Sequence, residues 1–460
     1  MCTSVFVISD LHLGGREGFQ MCTRAGRERL GEFIRYLATQ KRDNRDVQLV
    51  INGDSVDFLS QPDEAGRYSG FVADQAQAVK KLEAILSSTA EVWLALRALT
   101  AAGCGLVILS GNHDIELSLP AVRQRFQQEL GRGRVELVYD NQALAMGELL
   151  IEHGNRYDAW NVVPHATLRR IRSCLSRREA PPDYPVQPGS RLVVDVMNPI
   201  KARYPWVDLL KPEGAGLLKL LNALGAIGAR DVLHGLHDAV AMARRWMQFD
   251  LDGLPTDDEY VRAVAGRISE PDDPDEELVS AKRTADPDAE DLAELGRQRV
   301  DSDLHPSELL DAFRRRAKKD GTTFNVDREA DTYRRPANRL AETGYRVVVF
   351  GHTHLPKVVQ LDGGAVYLNT GTWADLMRVP ESAYSERDDG KALADIEKFV
   401  KALSANDIGR FRRQLPTYAR VDLSPEGKIL DKGLFLFDGP NRAAVPVSTA
   451  EVLARLDGGE

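Results

Sequence analysis

The sequence predicts an α/β protein in which helices cover a sheet and the chemistry sits on loops at strand ends. Three observations predict it. Short apolar runs alternate with longer amphipathic ones from the N-terminus to about residue 155, strand-like alternation returns near the C-terminus, and polar motifs terminate several apolar runs. In chain order, period-2 or continuous apolar patterning predicts strands at Ser4–Ser9, Val47–Asn52, Leu106–Ser110, Val135–Tyr139 and Glu148–Glu152. Between them, helical apolar spacing predicts helices at Arg24–Gln40 and Gln75–Ala101. Such alternation argues for a sheet with helices packed on it. After Trp160 the spacing becomes helical, at Gly214–Ile227 and Asp231–Phe249. Residues 250–331 are strongly charged and most acidic at Asp272-Asp273-Pro274-Asp275-Glu276-Glu277, a composition that reads as a solvated loop. Strand patterns resume at Arg346–Phe350, Ala365–Asn369, Tyr418–Asp422 and Leu434–Phe437. The economical arrangement is one core built from residues 1–160 and 336–460. A mostly helical and acidic insertion at 161–335 interrupts it and is expected to cap the cleft.

The bulk properties bound the function. With 460 residues and 43% hydrophobic content the chain can bury a sizeable core. The net charge of −9 supplies no overall basic footprint, which disfavours a protein that coats nucleic acid. A nuclease stays open, because a metal site receives a phosphate locally. Four cysteines without CxxC spacing (Cys2, Cys22, Cys104, Cys174) read as reduced, incidental thiols. The N-terminus enters directly on an apolar run without a basic-then-apolar leader pattern, and no apolar run approaches the roughly 18 residues of a membrane span. A cytoplasmic location is expected, with peripheral membrane contact left open.

Of nine histidines, five lie in short polar motifs at strand ends. These motifs are Asp10-Leu11-His12, Gly53-Asp54, Gly111-Asn112-His113-Asp114, His153-Gly154 and Gly351-His352-Thr353-His354. One Asp-x-His would signify little, since core histidines commonly bond a carboxylate. Five motifs beside glycines, each ending an apolar run, point to a site. Carboxylate oxygens and neutral imidazoles suit Mn²⁺, Fe²⁺ or Zn²⁺, and the lack of cysteine argues against a closed structural zinc site. Two ions about 3.5–4 Å apart need a bridging carboxylate. The i, i+2 spacing of Asp10/His12 and His352/His354 would align each pair on one face if its strand continued. Asp114 is expected to fix a histidine tautomer on His113 or His12, or to cap a helix.

The ordered blocks D-x-H, G-D, G-N-H-D, H-G and G-H-x-H, from Asp10 to His354, resemble the calcineurin-like metallophosphoesterase family. The resemblance covers the core and not the insertion. It implies a four-layer αββα sandwich of two mixed sheets and a site for two divalent metal ions, with Mn²⁺ expected first and Fe²⁺ or Zn²⁺ acceptable. It implies one ion on Asp10, His12, Asp54 and His354, and a second on Asp54, Asn112, His153 and His352, with Asp54 as the bridge. His113 would be catalytic, contacting the phosphate and the leaving oxygen while a water activated by both ions attacks in line. The opening Ser9–Gly14 and Gly53–Phe58 are also similar to the branch containing UDP-2,3-diacylglucosamine pyrophosphohydrolases. This chain departs from that branch in its length, its larger insertion, and the continuation Gly154-Asn155-Arg156-Tyr157-Asp158.

Substrate contacts are expected from Arg16, just past the first ligands, and from Asn155 and Arg156, which with Asp158 follow His153 closely enough to line the cleft. Asn369 is expected to support the cleft and Trp373 to pack. His165, His234, His237 and His305 lack ligand-like companions. The leading expectation is a phosphohydrolase acting on a small phosphate ester or anhydride: a nucleotide, nucleotide-sugar or lipid-linked molecule. A nuclease is the alternative, for which Arg169-Arg170 and Arg314-Arg315-Arg316 with Lys318-Lys319 are the candidate basic groups. A non-catalytic scaffold is the third reading, disfavoured because the ligand set is intact.

Overall fold

The computed structural model describes residues 2–16, 18–42, 44–211, 306–319, 321–384 and 388–457. The expected helices at Gly214–Ile227 and Asp231–Phe249, the acidic run at 272–277, and His234, His237 and His305 lie outside the described residues. In chain order the first strands are β1 (Cys2–Ile8), β2 (Arg45–Asn52), β3 (Gly105–Leu109), β4 (Val135–Val138), β5 (Leu144–Met146), β6 (Leu149–Ile151) and β7 (Leu210–Lys211). The later ones are β8 (Val347–Phe350), β9 (Pro356–Gln360), β10 (Val366–Thr370), β11 (Leu376–Arg378), β12 (Arg412–Arg413), β13 (Thr417–Leu423), β14 (Ile429–Leu436) and β15 (Val445–Pro446).

Two mixed sheets result. One has the order β15-β14-β13-β1-β2-β3-β4, the other β5-β6-β8-β10-β9. Strands β1 to β4 run parallel, as do β6, β8 and β10, while the flanking strands are antiparallel. Strict alternation of apolar residues then sorts each strand's side chains between two faces. Val5, Val7, Val50, Val107 and Leu109 of the first sheet meet Leu149, Ile151, Val347, Val349 and Leu368 of the second in one buried cluster. Their neighbours Phe6, Ile8, Leu49, Ile51 and Ile108 point the other way. There they pack under the helices α1 (Arg24–Gln40), α2 (Gln75–Ser88), α3 (Ala90–Ala101) and α4 (Pro120–Leu130). Leu150, Val348, Phe350 and Tyr367 face outward from the second sheet onto the helix Asp331–Glu342. The protein is therefore an α/β sandwich with mixed sheets.

The single helix expected over Gln75–Ala101 is two. Thr89 leaves helical geometry at φ −129° and ψ 28°, and its hydroxyl donates to the Ile85 carbonyl at 2.7 Å while accepting from Trp93 Nε1 at 2.8 Å. The helix Asp331–Glu342 straddles residue 335 and belongs by packing to the second sheet. The described ends of the insertion also contain a strand, since β7 joins β11 and β12 in a small third sheet. Its apolar residues Ile200, Trp206, Leu209 and Leu310 bury against Met377, Ile396 and Phe399, so the inserted segment is packed onto the chain that follows the core motifs.

Candidate metal centre

Strand β1 ends at Ile8, β2 at Asn52, β3 at Leu109, β6 at Ile151 and β8 at Phe350. The loops beyond these C-terminal ends carry every motif, which is where open α/β sheets present ligands. Backbone bonds lace the loops together. Asp10 N–H donates to Gly53 O (3.1 Å), His12 N–H to Asp54 O (3.0 Å), Phe58 N–H to His113 O (3.1 Å) and Gly351 N–H to His153 O (2.9 Å). His352 N–H donates to Asp10 Oδ2 at 2.9 Å, and Asn369 Nδ2 donates to Gly351 O at 2.7 Å. Asn369 thus supports the cleft, and Trp373 is buried with its ring 5.0 Å from that of Phe33.

The pairs Asp10/His12 and His352/His354 do not converge by strand alternation, because both strands stop first. Asp10 (φ 53°), His12 (φ 44°), Asp54 (φ 49°), His352 (φ 72°) and His354 (φ 62°) all occupy the left-handed region instead. For residues with a Cβ this costs about 1–2 kcal/mol each, against a net stability of about 5–15 kcal/mol for a whole domain. Five together persist only because the surrounding bonds over-determine them, and such clusters of strain mark functional sites. Two glycines are required by close approach. A Cβ on Gly111 would lie 2.1 Å from Asp54 Oδ1, and one on Gly53 (φ 84°) would lie 2.2 Å from His153 Nδ1.

Three overlapping groups of side chains have ligand atoms close enough for a metal ion: Asp10, His12 and His354; Asp10, Asp54 and His153; and His12, Asp54 and His113. Within them His12 Nε2 is 2.9 Å from His354 Nε2, His354 Nε2 is 3.4 Å from Asp10 Oδ1, and His153 Nε2 is 3.3 Å from Asp54 Oδ2. His12 Nε2 is 4.0 Å from Asp10 Oδ1 and 3.9 Å from Asp54 Oδ2. Asp10, His12, Asp54 and His153 are buried. Asn112 is buried too, but its Nδ2 reaches Asn161 Oδ1 at 3.3 Å. His352 meets Asp158 Oδ2 through Nε2 at 3.0 Å and stands with its ring 5.4 Å from that of His153. Both therefore border the centre with a partner already in hand.

The residues fit a divalent cation. Asn112 Oδ1 and His153 Nε2 are buried without a hydrogen-bond partner, an expensive state that coordination would relieve. Burial works against charge on Asp10, yet the His354 hydrogen bond and the His153 charge hold its carboxyl down at about 2. Burial also opposes charge on His153, but the Asp54 and Asp10 carboxylates raise that imidazole to about 10. A site that draws a proton this strongly draws a cation in its place, since metal binding displaces the ring proton. Burial and the nearby Lys211 charge lower His354 to about 4, which keeps its lone pair available at neutral pH.

Two residues outside the expected metal and catalytic residues are bound to these histidines. Asp57 takes His113 Nδ1 on Oδ1 at 3.2 Å and faces His12 Nδ1 with Oδ2 at 3.4 Å. Burial opposes it, but the Asp57 and Asp54 charges raise His113 to about 9. Asp158 holds His352 and also accepts from Asn161 Nδ2 at 2.6 Å, so Asn161 links Asn112 to His352. The sequence signal for Asp57 was its place three residues past Asp54 in a strand-end loop. The roles expected of Asp114 do not hold. Its Oδ1 accepts Gly111 N–H at 2.7 Å and its Oδ2 accepts Ser55 N–H at 2.8 Å, bracing two loops, and it makes no side-chain cap to the turn that follows.

Among the expected substrate contacts, Asn155 is buried and donates to Asn161 O at 2.9 Å, and Arg156 lies 3.5 Å from Glu152. Arg16 is exposed with its guanidinium 5.6 Å from the Phe19 ring centroid. It lines a cleft of about 340 Å³ with Phe19, Tyr68 and Asn198, which none of the metal-group residues borders. The basic groups considered for a polyanion are partly engaged, Arg169 with Asp140 at 3.0 Å and Arg314 with Asp389 at 2.8 Å. The side chains of Arg316, Lys318 and Lys319 lie outside the described residues. His165 begins the helix His165–Ser176 and belongs to none of the three metal groups. Among the described residues no helix is long and apolar enough to cross a membrane. Compared with known proteins, the chain matches no family model and no curated sequence.

Proposed function

We propose that this chain is a phosphohydrolase of the calcineurin-like metallophosphoesterase type, using two divalent ions to cleave a phosphodiester, pyrophosphate or phosphomonoester of a small molecule. The observation that carries the reading is the sharing of ligands: Asp54 and Asp10 each belong to two overlapping groups, so neighbouring cations would be bridged by carboxylate. Asp10, His12, Asp54 and His354 would hold one ion. Asp54, Asn112, His153 and His352 would hold the other, with Asp158 and Asn161 orienting the last of these and Asn112. When bound, the ions lower the pKa of water toward neutrality and neutralise charge on phosphoryl oxygens. Mn²⁺ is the ion expected first, and Fe²⁺ and Zn²⁺ accept the same donors.

His113 supplies what the ligands do not. Its Nδ1 is fixed on Asp57 and its backbone N–H donates to Asp54 Oδ1 at 2.8 Å, so the ring is anchored at the edge of the cluster. An imidazole kept protonated by Asp57 can donate to a phosphoryl oxygen or the departing oxygen. His113 also completes one of the three candidate groups, which makes its role testable. In His113→Ala, metal content should stay at the wild-type level while kcat falls by about 10²–10⁴-fold; loss of the metal instead would make His113 a ligand. Asp54→Ala should lose both metal and turnover. The substrate assay compares p-nitrophenyl phosphate, bis-p-nitrophenyl phosphate, a UDP-sugar and single-stranded DNA with Mn²⁺. Turnover confined to DNA would replace the small-molecule reading with the nuclease, and wild-type activity in Asp54→Ala would sink the two-metal mechanism.

A further inference from the structure

The Asp57 carboxylate meets His113 and His12 from the first core segment, and the insertion acts on it through Ser60. The helical stretch from Pro188 ends at Lys201, which is 2% exposed. Two of its residues grip the turn that carries Asp57: Asn198 Nδ2 donates to Leu59 O at 2.9 Å, and Lys201 Nζ donates to Ser60 Oγ at 3.4 Å. Ser60 binds both Asp57 oxygens, through N–H to Oδ1 at 2.9 Å and through Oγ–H to Oδ2 at 2.8 Å. A hydroxyl has one hydrogen and free rotation. With the ammonium donating to Oγ, the Ser60 hydrogen is left to point at Asp57. Lys201 is itself held by an ion pair with Asp208, also from the insertion.

We propose that Lys201 is a positioning residue for the reaction centre. It orients Ser60, and through Ser60 holds Asp57 where it takes His113 Nδ1 at 3.2 Å and faces His12 Nδ1 at 3.4 Å, leaving each Nε2 to face the metals or substrate. The insertion thereby sets the orientation of the rings in the site that it borders. This rests on the phosphohydrolase reading for its kinetic consequence but not for its structural one. The experiment uses Lys201→Met, Lys201→Arg and Ser60→Ala in the full chain. Ser60→Ala leaves the Lys201–Asp208 pair intact, so it decides the matter if Lys201→Met fails to fold. On the phosphate ester that the wild type turns over with Mn²⁺, Lys201→Met and Ser60→Ala should each lower kcat by about 10–100-fold. KM should stay within about twofold, with metal content unchanged, Lys201→Arg recovering most of the rate and the double variant no slower than either single. The activity-independent readout is the ¹⁵N spectrum of the His12 and His113 rings. A shift away from Nδ1-protonation in Ser60→Ala supports the link even if no ester is hydrolysed, whereas ring signals and kcat identical to wild type in both variants overturn it.

Discussion

Glu116 shows at the scale of one residue how this fold tolerates charge away from the centre. Its Oε1 accepts Val72 N–H at 3.1 Å, while Oε2 is buried without a partner. Burial pushes the carboxyl up to about 7, and the Lys81 ammonium only partly opposes it. A folded-state pKa raised above the ordinary 4.5 means that the folded chain keeps a proton the unfolded chain has lost. The associated stability is present in full below about pH 4.5 and lost by about pH 7, an effect of roughly 3 kcal/mol. Urea midpoints measured across this window should fall with rising pH more steeply in wild type than in Glu116→Gln; parallel curves would refute the assignment. Asp57 teaches the converse lesson. Its carboxylate was readable as a strand-end residue, but its partnership with His113 spans 56 positions and no local pattern encodes it.

Elements were legible where periodicity was strong, and α1 matches its expected span of Arg24–Gln40. The break at Thr89 was hidden because a threonine fits a helical pattern, and only the Trp93 indole reveals why this one turns aside. Strands β9, β11 and β12 escaped because each is short or lies at a sheet edge, where alternation is weak. At the motifs the sequence showed which residues gather and not how, since left-handed φ values replace the strand continuation that spacing suggested. Gly111→Ala would drive a methyl into Asp54 Oδ1, and backbone shifts of this kind cost about 1–3 kcal/mol. Metal content measured by mass spectrometry should drop well below wild type while the far-ultraviolet spectrum stays native. Full metal loading would show that Asp54 can move without consequence.

On the scale of the whole molecule, the expectation of an interrupted core rests on motifs that stop at His153 and restart at Gly351. What no pattern foretold is the packing of the insertion's ends onto Met377, Ile396 and Phe399. The sheet order carries a second unforeseen tie. Strand β1 lies inside the seven-stranded sheet, with β2 on one side and the distant β13 on the other. A chain ended after Pro416 would leave β1 as an unpaired edge and strip Ala419, Val421, Leu434 and Leu436 from the buried cluster. Exposed apolar edges of this kind pair with other chains. Such a truncation is expected to accumulate as aggregate and to show no cooperative urea transition. A soluble, cooperatively unfolding product would mean that the first four strands hold without it.

The same interruption of the core puts the candidate ligands on a clock. Asp10, Asp54 and His153 are all polymerised before the insertion begins, whereas His354 is added about 200 residues later, roughly 10–40 s at ordinary synthesis rates. Both proposed cation positions therefore stay incomplete until the second half of the chain is made, since one needs His354 and the other His352. On the ligand sets proposed above, neither ion is held before that point, so metal loading is expected to follow synthesis of the chain and not to accompany it.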